Sequence, residues 1–98
     1  MNVRLFDAAR DELDAAVAYY NAERASLGDE LLIEFLHTIE LIKAYPQGWA
    51  PFHLGTRRCR LRRFPYGVIY LLEDGEIVIA AFAHLHREPD YWVKRISP

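Results

Sequence analysis

Gly67-Val68-Ile69-Tyr70-Leu71-Leu72-Glu73-Asp74-Gly75-Glu76-Ile77-Val78-Ile79-Ala80-Ala81-Phe82 is the stretch on which the fold turns. Two runs rich in β-branched and aromatic residues flank Asp74-Gly75. Asp-Gly is the strongest short hairpin signal, because a tight hairpin turn needs positive φ at its central residues. Antiparallel strands are therefore expected over about 67–73 and 76–84. Pro65 interrupts the chain upstream, and before it Arg58, Arg60 and Arg62 alternate with Cys59 and Leu61. That is the period of a strand with one basic and one buried face, expected over about 57–64. Successive arginines would stand about 6–7 Å apart on one face. Cys59 should point into the core and be inert.

Upstream of Gly48 the period is helical. Val3-Arg4-Leu5-Phe6 reads as a short strand, and Asp7 as a helix N-cap, with Asp11 and Glu12 placed where the dipole favours acid. Ala9, Leu13, Ala16 and Tyr20 repeat at four, three and four, so a helix should run to about Ser26 and break at Gly28. A second helix is expected from about Asp29, burying Leu32, Phe35, Leu36, Ile39 and Ile42, and stopping at Tyr45-Pro46-Gln47-Gly48. Tyr19, Tyr20, Tyr66 and Tyr70 should pack, and the tail from Pro89 to Arg95 should make one helical turn. The order β-α-α-β-β-β predicts an α+β fold, with a helical hairpin on one face of a mainly antiparallel sheet.

With 98 residues and 52% hydrophobic content, one domain over 1–98 is expected, with a modest stability margin. The net charge of −2 conceals an asymmetry. Residues 1–40 hold three basic and nine acidic side chains, whereas residues 41–98 hold nine basic and five acidic. A basic working face in the second half follows, suited to nucleic acid or to an acidic protein. The single cysteine excludes an internal disulfide and leaves too few soft ligands for structural zinc. No charged leader or membrane-length apolar run is visible, so the expectation is a cytoplasmic chain with no membrane partner.

Arg62-Arg63-Phe64-Pro65-Tyr66-Gly67-Val68-Ile69-Tyr70 resembles the R-F-P-Y-x-I-x-Y signature of RelE/ParE toxins from type II toxin–antitoxin, or plasmid stabilisation, systems. Ala83-His84 through Arg87-Glu88-Pro89-Asp90-Tyr91-Trp92 is similar to that family's H-x-x-R-x-P-x-Y-W ending. Glu12-Leu13 through Tyr19-Tyr20 to Leu27-Gly28 is similar to its E-L-x-x-A-x-x-Y-Y … L-G helix. The resemblance spans essentially the whole chain in order. It implies a growth-inhibiting toxin held inactive by a cognate antitoxin. RelE-like members cut messenger RNA on the ribosome, whereas ParE-like members poison DNA gyrase without cutting RNA.

Under the resemblance, Arg58, Arg60 and Arg62 match the basic positions before the Pro-Tyr corner, and Tyr91 matches the C-terminal tyrosine. Gly67 stands where RelE toxins carry a key arginine after the corner tyrosine, and Leu85 falls on the second. These departures favour a ParE-like gyrase inhibitor, or a degenerate member that binds antitoxin alone, over a ribonuclease. Were the chain a ribonuclease, His84, His86 and Tyr91 would be the catalytic candidates, since imidazole exchanges protons near neutral pH.

Arg58, Arg60, Arg62 and Arg87 are the candidate target-binding residues. Arginine grips phosphate through bidentate hydrogen bonds, but the same row equally suits an acidic antitoxin segment or an ordinary solvated face. His84 and His86 sit two apart with no third ligand at a suitable offset, so neither metal nor cofactor is expected. Trp92 is read as a staple holding the tail to the sheet, whereas Tyr91 suits either a staple or a stacking surface.

Overall fold

A computed structural model describes residues 1–96; Ser97 and Pro98, which the expected domain includes, lie outside the described residues. The elements are β1 (Asn2–Leu5), α1 (Asp7–Glu23), α2 (Leu27–Ala44), β2 (Ala50–Pro51), β3 (Arg57–Arg60), β4 (Tyr66–Glu73) and β5 (Glu76–His84). The five strands lie in the order β1-β5-β4-β3-β2. Antiparallel pairs join β5, β4, β3 and β2, while β1 runs parallel to β5. The α+β expectation and the hairpin hold, with β2 as an addition. Asp74 and Gly75 both take positive φ, 51° and 77°, and Glu73 faces Glu76 across a two-residue turn.

The helical hairpin covers one face of the sheet. Ala9, Leu13 and Ala16 of α1 and Leu31, Phe35, Ile39 and Ile42 of α2 pack on Val68, Tyr70, Ile77, Ile79 and Phe82. The buried face of α2 is rotated by part of a turn from the expected one: Leu31 is buried, whereas Leu32 and Leu36 are exposed. Thr38 enters the buried row because its hydroxyl donates to the Glu34 carbonyl, which satisfies the polar group inside its own helix. The second face carries a smaller cluster, in which Ile69, Ala81 and Ala83 receive Trp92 from the tail.

Three local expectations change. Phe6, not Asp7, occupies the N-cap of α1, and no side chain caps that end. The interhelical break falls at Ser26 (φ 70°), so Gly28 lies within α2. A Cβ on Gly28 would stand 2.1 Å from the Val17 carbonyl oxygen, so this glycine lets the two helices approach closely rather than ending one. Tyr19 is exposed, resting its ring edge-on against Tyr20 instead of entering the core.

β3 ends at Arg60, earlier than its alternation suggests. Leu61 and Phe64 then turn into the core, and the Glu34 carboxylate accepts the backbone N–H groups of Arg62 and Arg63. The carboxylate supplies acceptors for amides that the ladder no longer serves. Arg62 therefore lies outside the strand that carries Arg58 and Arg60.

Candidate functional site

The tail wraps round the edge of β5. Pairing of β1 with β5 ends at Leu5 opposite Ile79, and the β4–β5 register shifts between Ile69 and Tyr70. Beyond that point Glu12 of α1 takes over. Its carboxylate accepts the Phe82 N–H at 3.1 Å, the Tyr91 hydroxyl at 2.5 Å and both terminal nitrogens of Arg95 at 2.9 Å. Arg95 also donates to the Ala80 carbonyl at 3.1 Å. Two strand groups that β1 does not reach are thus satisfied from α1 and from the tail.

Charge follows from this arrangement. Burial opposes ionisation of Glu12, but the hydrogen bonds from Arg95, Tyr91 and the Phe82 amide outweigh it and hold the carboxyl below its usual range. Burial, followed by the hydrogen bond to Glu12, pushes the Tyr91 phenol well above its ordinary value. Arg87 lies over the Tyr91 ring at 3.6 Å and approaches Glu12 at 3.8 Å. The sequence singles out Tyr91 and Arg87, but gives Glu12 only a dipole-favoured place and the opening of the E-L helix motif, with no part in a site. That motif is the signal that could have found it.

An open groove of about 310 Å³ lies beside this network, where Tyr19, Tyr66, His84, Arg87 and Tyr91 form its walls. Tyr66 stacks on Phe82 with ring centroids 4.6 Å apart, and His84 sits edge-on to Tyr66 at 5.0 Å. His86 lies past the end of β5 in a turn, and its N–H donates to His84 Nδ1 at 3.1 Å. The two imidazoles meet at 5.2 Å, and among the described residues no third histidine, cysteine or carboxylate completes a metal set.

The four candidate arginines fall into two groups. Arg58 and Arg87 border one hollow on the sheet face that carries the tail, together with Phe52, Leu85 and Pro89. The Arg58 guanidinium lies 4.5 Å above the Phe52 ring, and a Cβ on Gly67 would meet the Arg58 stem at 3.1 Å. A side chain at 67 would press on the Arg58 stem, which would have to give by a few tenths of an ångström. Gly67 thus lies close under the arginine of the neighbouring strand, a contact invisible in the sequence. Arg60 and Arg62 line a separate hollow against α2, with His37 and Trp49. Trp92 is fully buried, donates its indole N–H to the Pro89 carbonyl at 2.9 Å and stacks near Phe52, which makes it a staple. Cys59 is buried, and burial pushes its thiol up to about 11.

Among the described residues no helix is long and apolar enough to cross a membrane. A search of curated proteins returned no match. Among solved structures, one from the chromosomal ParDE toxin–antitoxin system of P. aeruginosa superposes with a TM-score of 0.78 at 18% identity. It covers 88% of this chain and 97% of the other, a likeness of fold. The family model for the ParE toxin of the type II toxin–antitoxin system parDE matches residues 3–91. That span holds the helical hairpin, the arginine strand, the Pro-Tyr corner and Tyr91, and the chain belongs to the ParE toxin family of type II toxin–antitoxin systems.

Proposed function

We propose that the chain inhibits DNA gyrase by binding it, and that a cognate antitoxin neutralises it. The observation that carries the non-catalytic reading is the state of Tyr91. Its hydroxyl is committed to Glu12 and its phenol resists ionisation, so it is poorly placed to take a proton from a ribose hydroxyl. Gly67 and Leu85 supply no cation to stabilise the charge of a phosphate transition state. Arg58 and Arg87 bring two guanidiniums to the rim of one hollow, held by stacking on Phe52 and Tyr91, and form the target contact in this reading.

The ribonuclease reading keeps one observation in its favour: His84, Arg87 and Tyr91 share the aromatic groove. Induction in growing cells separates the readings. Gyrase poisoning stops DNA replication first and leaves messenger RNA ends unchanged, and the purified chain lowers supercoiling by gyrase. New RNA ends clustered at ribosome-positioned codons, lost on replacing His84 or Tyr91, would overturn the gyrase reading. The absence of growth arrest without the antitoxin would mark a degenerate member.

A further inference from the structure

The hollow between α2 and β3 has a neutral interior and a charged rim. It holds about 300 Å³, at the small end of the range for ligand pockets, about 300–1,000 Å³. Thr38 and Leu41 line it from one face of α2, Cys59 from β3, and Trp49 from the segment that follows α2. None of these brings a charge. The Thr38 hydroxyl donates to the Glu34 carbonyl within its own helix, and burial pushes the Cys59 thiol up to about 11. Trp49 is pinned beside β3, since its carbonyl accepts from the Arg57 guanidinium at 2.7 Å. Its indole Nε1–H is shut from solvent and, among the described residues, meets no acceptor. A buried donor in that state favours any ligand that brings an acceptor to it, and a small turn of the ring would present it.

Arg60 and Arg62 stand exposed at the rim, and among the described residues neither meets a carboxylate. Glu34 also lines the hollow, but its oxygens accept the backbone N–H groups of Arg62 and Arg63. Two guanidiniums and one carboxylate leave a charge of +1, the complement of a monoanion. A phosphate monoester would bring about −2 past Glu34 and leave the apolar wall uncovered. A helix, about 10 Å across, is too wide to enter a space of this volume. A single carboxylate on a flat apolar body satisfies both rim and wall.

We propose that this hollow is a binding site for a small monocarboxylic acid with a flat apolar body. Arg60 and Arg62 hold the carboxylate, and the body lies against Leu41, Cys59 and the Trp49 indole. The site rests on the cavity and its charges alone, and stands whether or not the chain acts on gyrase.

The test titrates the isotope-labelled full chain with phenylacetate and follows the two indole N–H resonances by NMR. Because His37 lines the same wall, the titration is run at about pH 8, above the ordinary range in which imidazole gains charge. The Trp49 signal, assigned with Trp49→Phe, should move and saturate, while that of Trp92, buried on the other face of the sheet, stays still. Phenylacetamide keeps the ring and loses the charge, whereas acetate keeps the charge and loses the ring. Each should bind the native chain about tenfold more weakly or worse. Arg60→Gln and Arg62→Gln should weaken phenylacetate by a similar factor and leave phenylacetamide unchanged, with thermal melts confirming that both variants are folded. Equal binding of phenylacetate and phenylacetamide would reduce the site to an apolar crevice. Tighter binding of inorganic phosphate would make it a phosphate site, and a Trp49 signal that never saturates would mean that no site exists. Each of these three results on the native chain overturns the proposal.

Discussion

Glu12 of α1 and Arg95 of the tail, 83 positions apart, hold each other through two hydrogen bonds of 2.9 Å. Glu12 simultaneously accepts from the edge of β5 and from Tyr91, so one carboxylate joins helix, sheet and tail. Charged hydrogen bonds of this kind each contribute about 1.5–3 kcal/mol, and a partner left buried costs more than the bond contributes. Replacing Glu12 by Ala strands the Phe82 amide and the Arg95 guanidinium together. A loss of about 3 kcal/mol is expected in urea unfolding, and a loss below 1 kcal/mol would show that the network is ornamental.

The same carboxylate makes the tail acid-sensitive. Its folded pKa lies below the ordinary glutamate value of 4.5, so its stabilisation is complete above that value. It is lost as pH falls below 4.5 through the folded pKa, because protonation removes the charge that Arg95 and Tyr91 hold. The deficit of Glu12→Gln relative to the native chain should therefore shrink as pH drops through this window. Melting temperatures between about pH 7 and pH 3 read it directly. A deficit independent of pH would assign the effect to packing.

Gly28 gives a prediction opposite in sign to helix propensity. Alanine in place of glycine inside a helix ordinarily stabilises by about 1 kcal/mol. Here the added Cβ meets the Val17 carbonyl oxygen at 2.1 Å and the Asn21 side chain at 2.7 Å, and Asn21 already accepts the Gly28 N–H at 2.7 Å. Gly28→Ala should destabilise by about 2 kcal/mol, because α1 and α2 must move apart. Chemical denaturation with an unchanged m-value checks it; a gain in stability would mean that the helices slide at little cost.

Some of this architecture is written locally and some is not. Asp74-Gly75 and its apolar flanks specify a turn type, so both strands, and their register from the turn as far as the shift at Tyr70, follow from neighbouring residues. In α2 the abundance of Leu and Ile leaves the helical phase degenerate, and tertiary contact, not pattern, chooses Leu31 over Leu32. The end of β3 is set by Glu34, 28 positions away, and β2 is two residues long and contains Pro51, too little for any period. The site divides similarly. Arg58, Arg87, His84 and Tyr91 stand out as residue types, but Glu12 and the Gly67–Arg58 contact depend on elements that meet only in three dimensions.

Trp92 should be indispensable to the tail. It is fully buried against Ile69, Ala81 and Ala83, and its indole N–H closes the Pro89 turn. Removing it leaves a large void on a thin second layer, which costs about 3–5 kcal/mol for an aromatic side chain. Trp92→Ala should accordingly melt far lower than Trp92→Phe, and hydrogen exchange should quicken at Val93 and Arg95 before it does in β4. Uniform quickening across the sheet would mean that the tail folds as one unit with the core.

The arginines supply the functional counterpart. Arg58 lies over Gly67 and Phe52, and burial, together with the charge of Arg60, lowers the pKa of its guanidinium. Arg87 rests on Tyr91. If these two grip gyrase, Arg58→Ala and Arg87→Ala should each reduce inhibition of supercoiling about tenfold, with a weaker salt dependence than the native chain. Lysine at position 58 should restore little, since it keeps the charge but loses the planar stacking on Phe52. Tyr91→Phe should retain inhibition, because the ring that supports Arg87 remains and only the bond to Glu12 is lost, whereas a ribonuclease relying on that hydroxyl would lose activity outright. Full inhibition by the Arg58 and Arg87 variants, with loss in the Tyr91→Phe variant, would move the working surface from the arginine hollow to the aromatic groove.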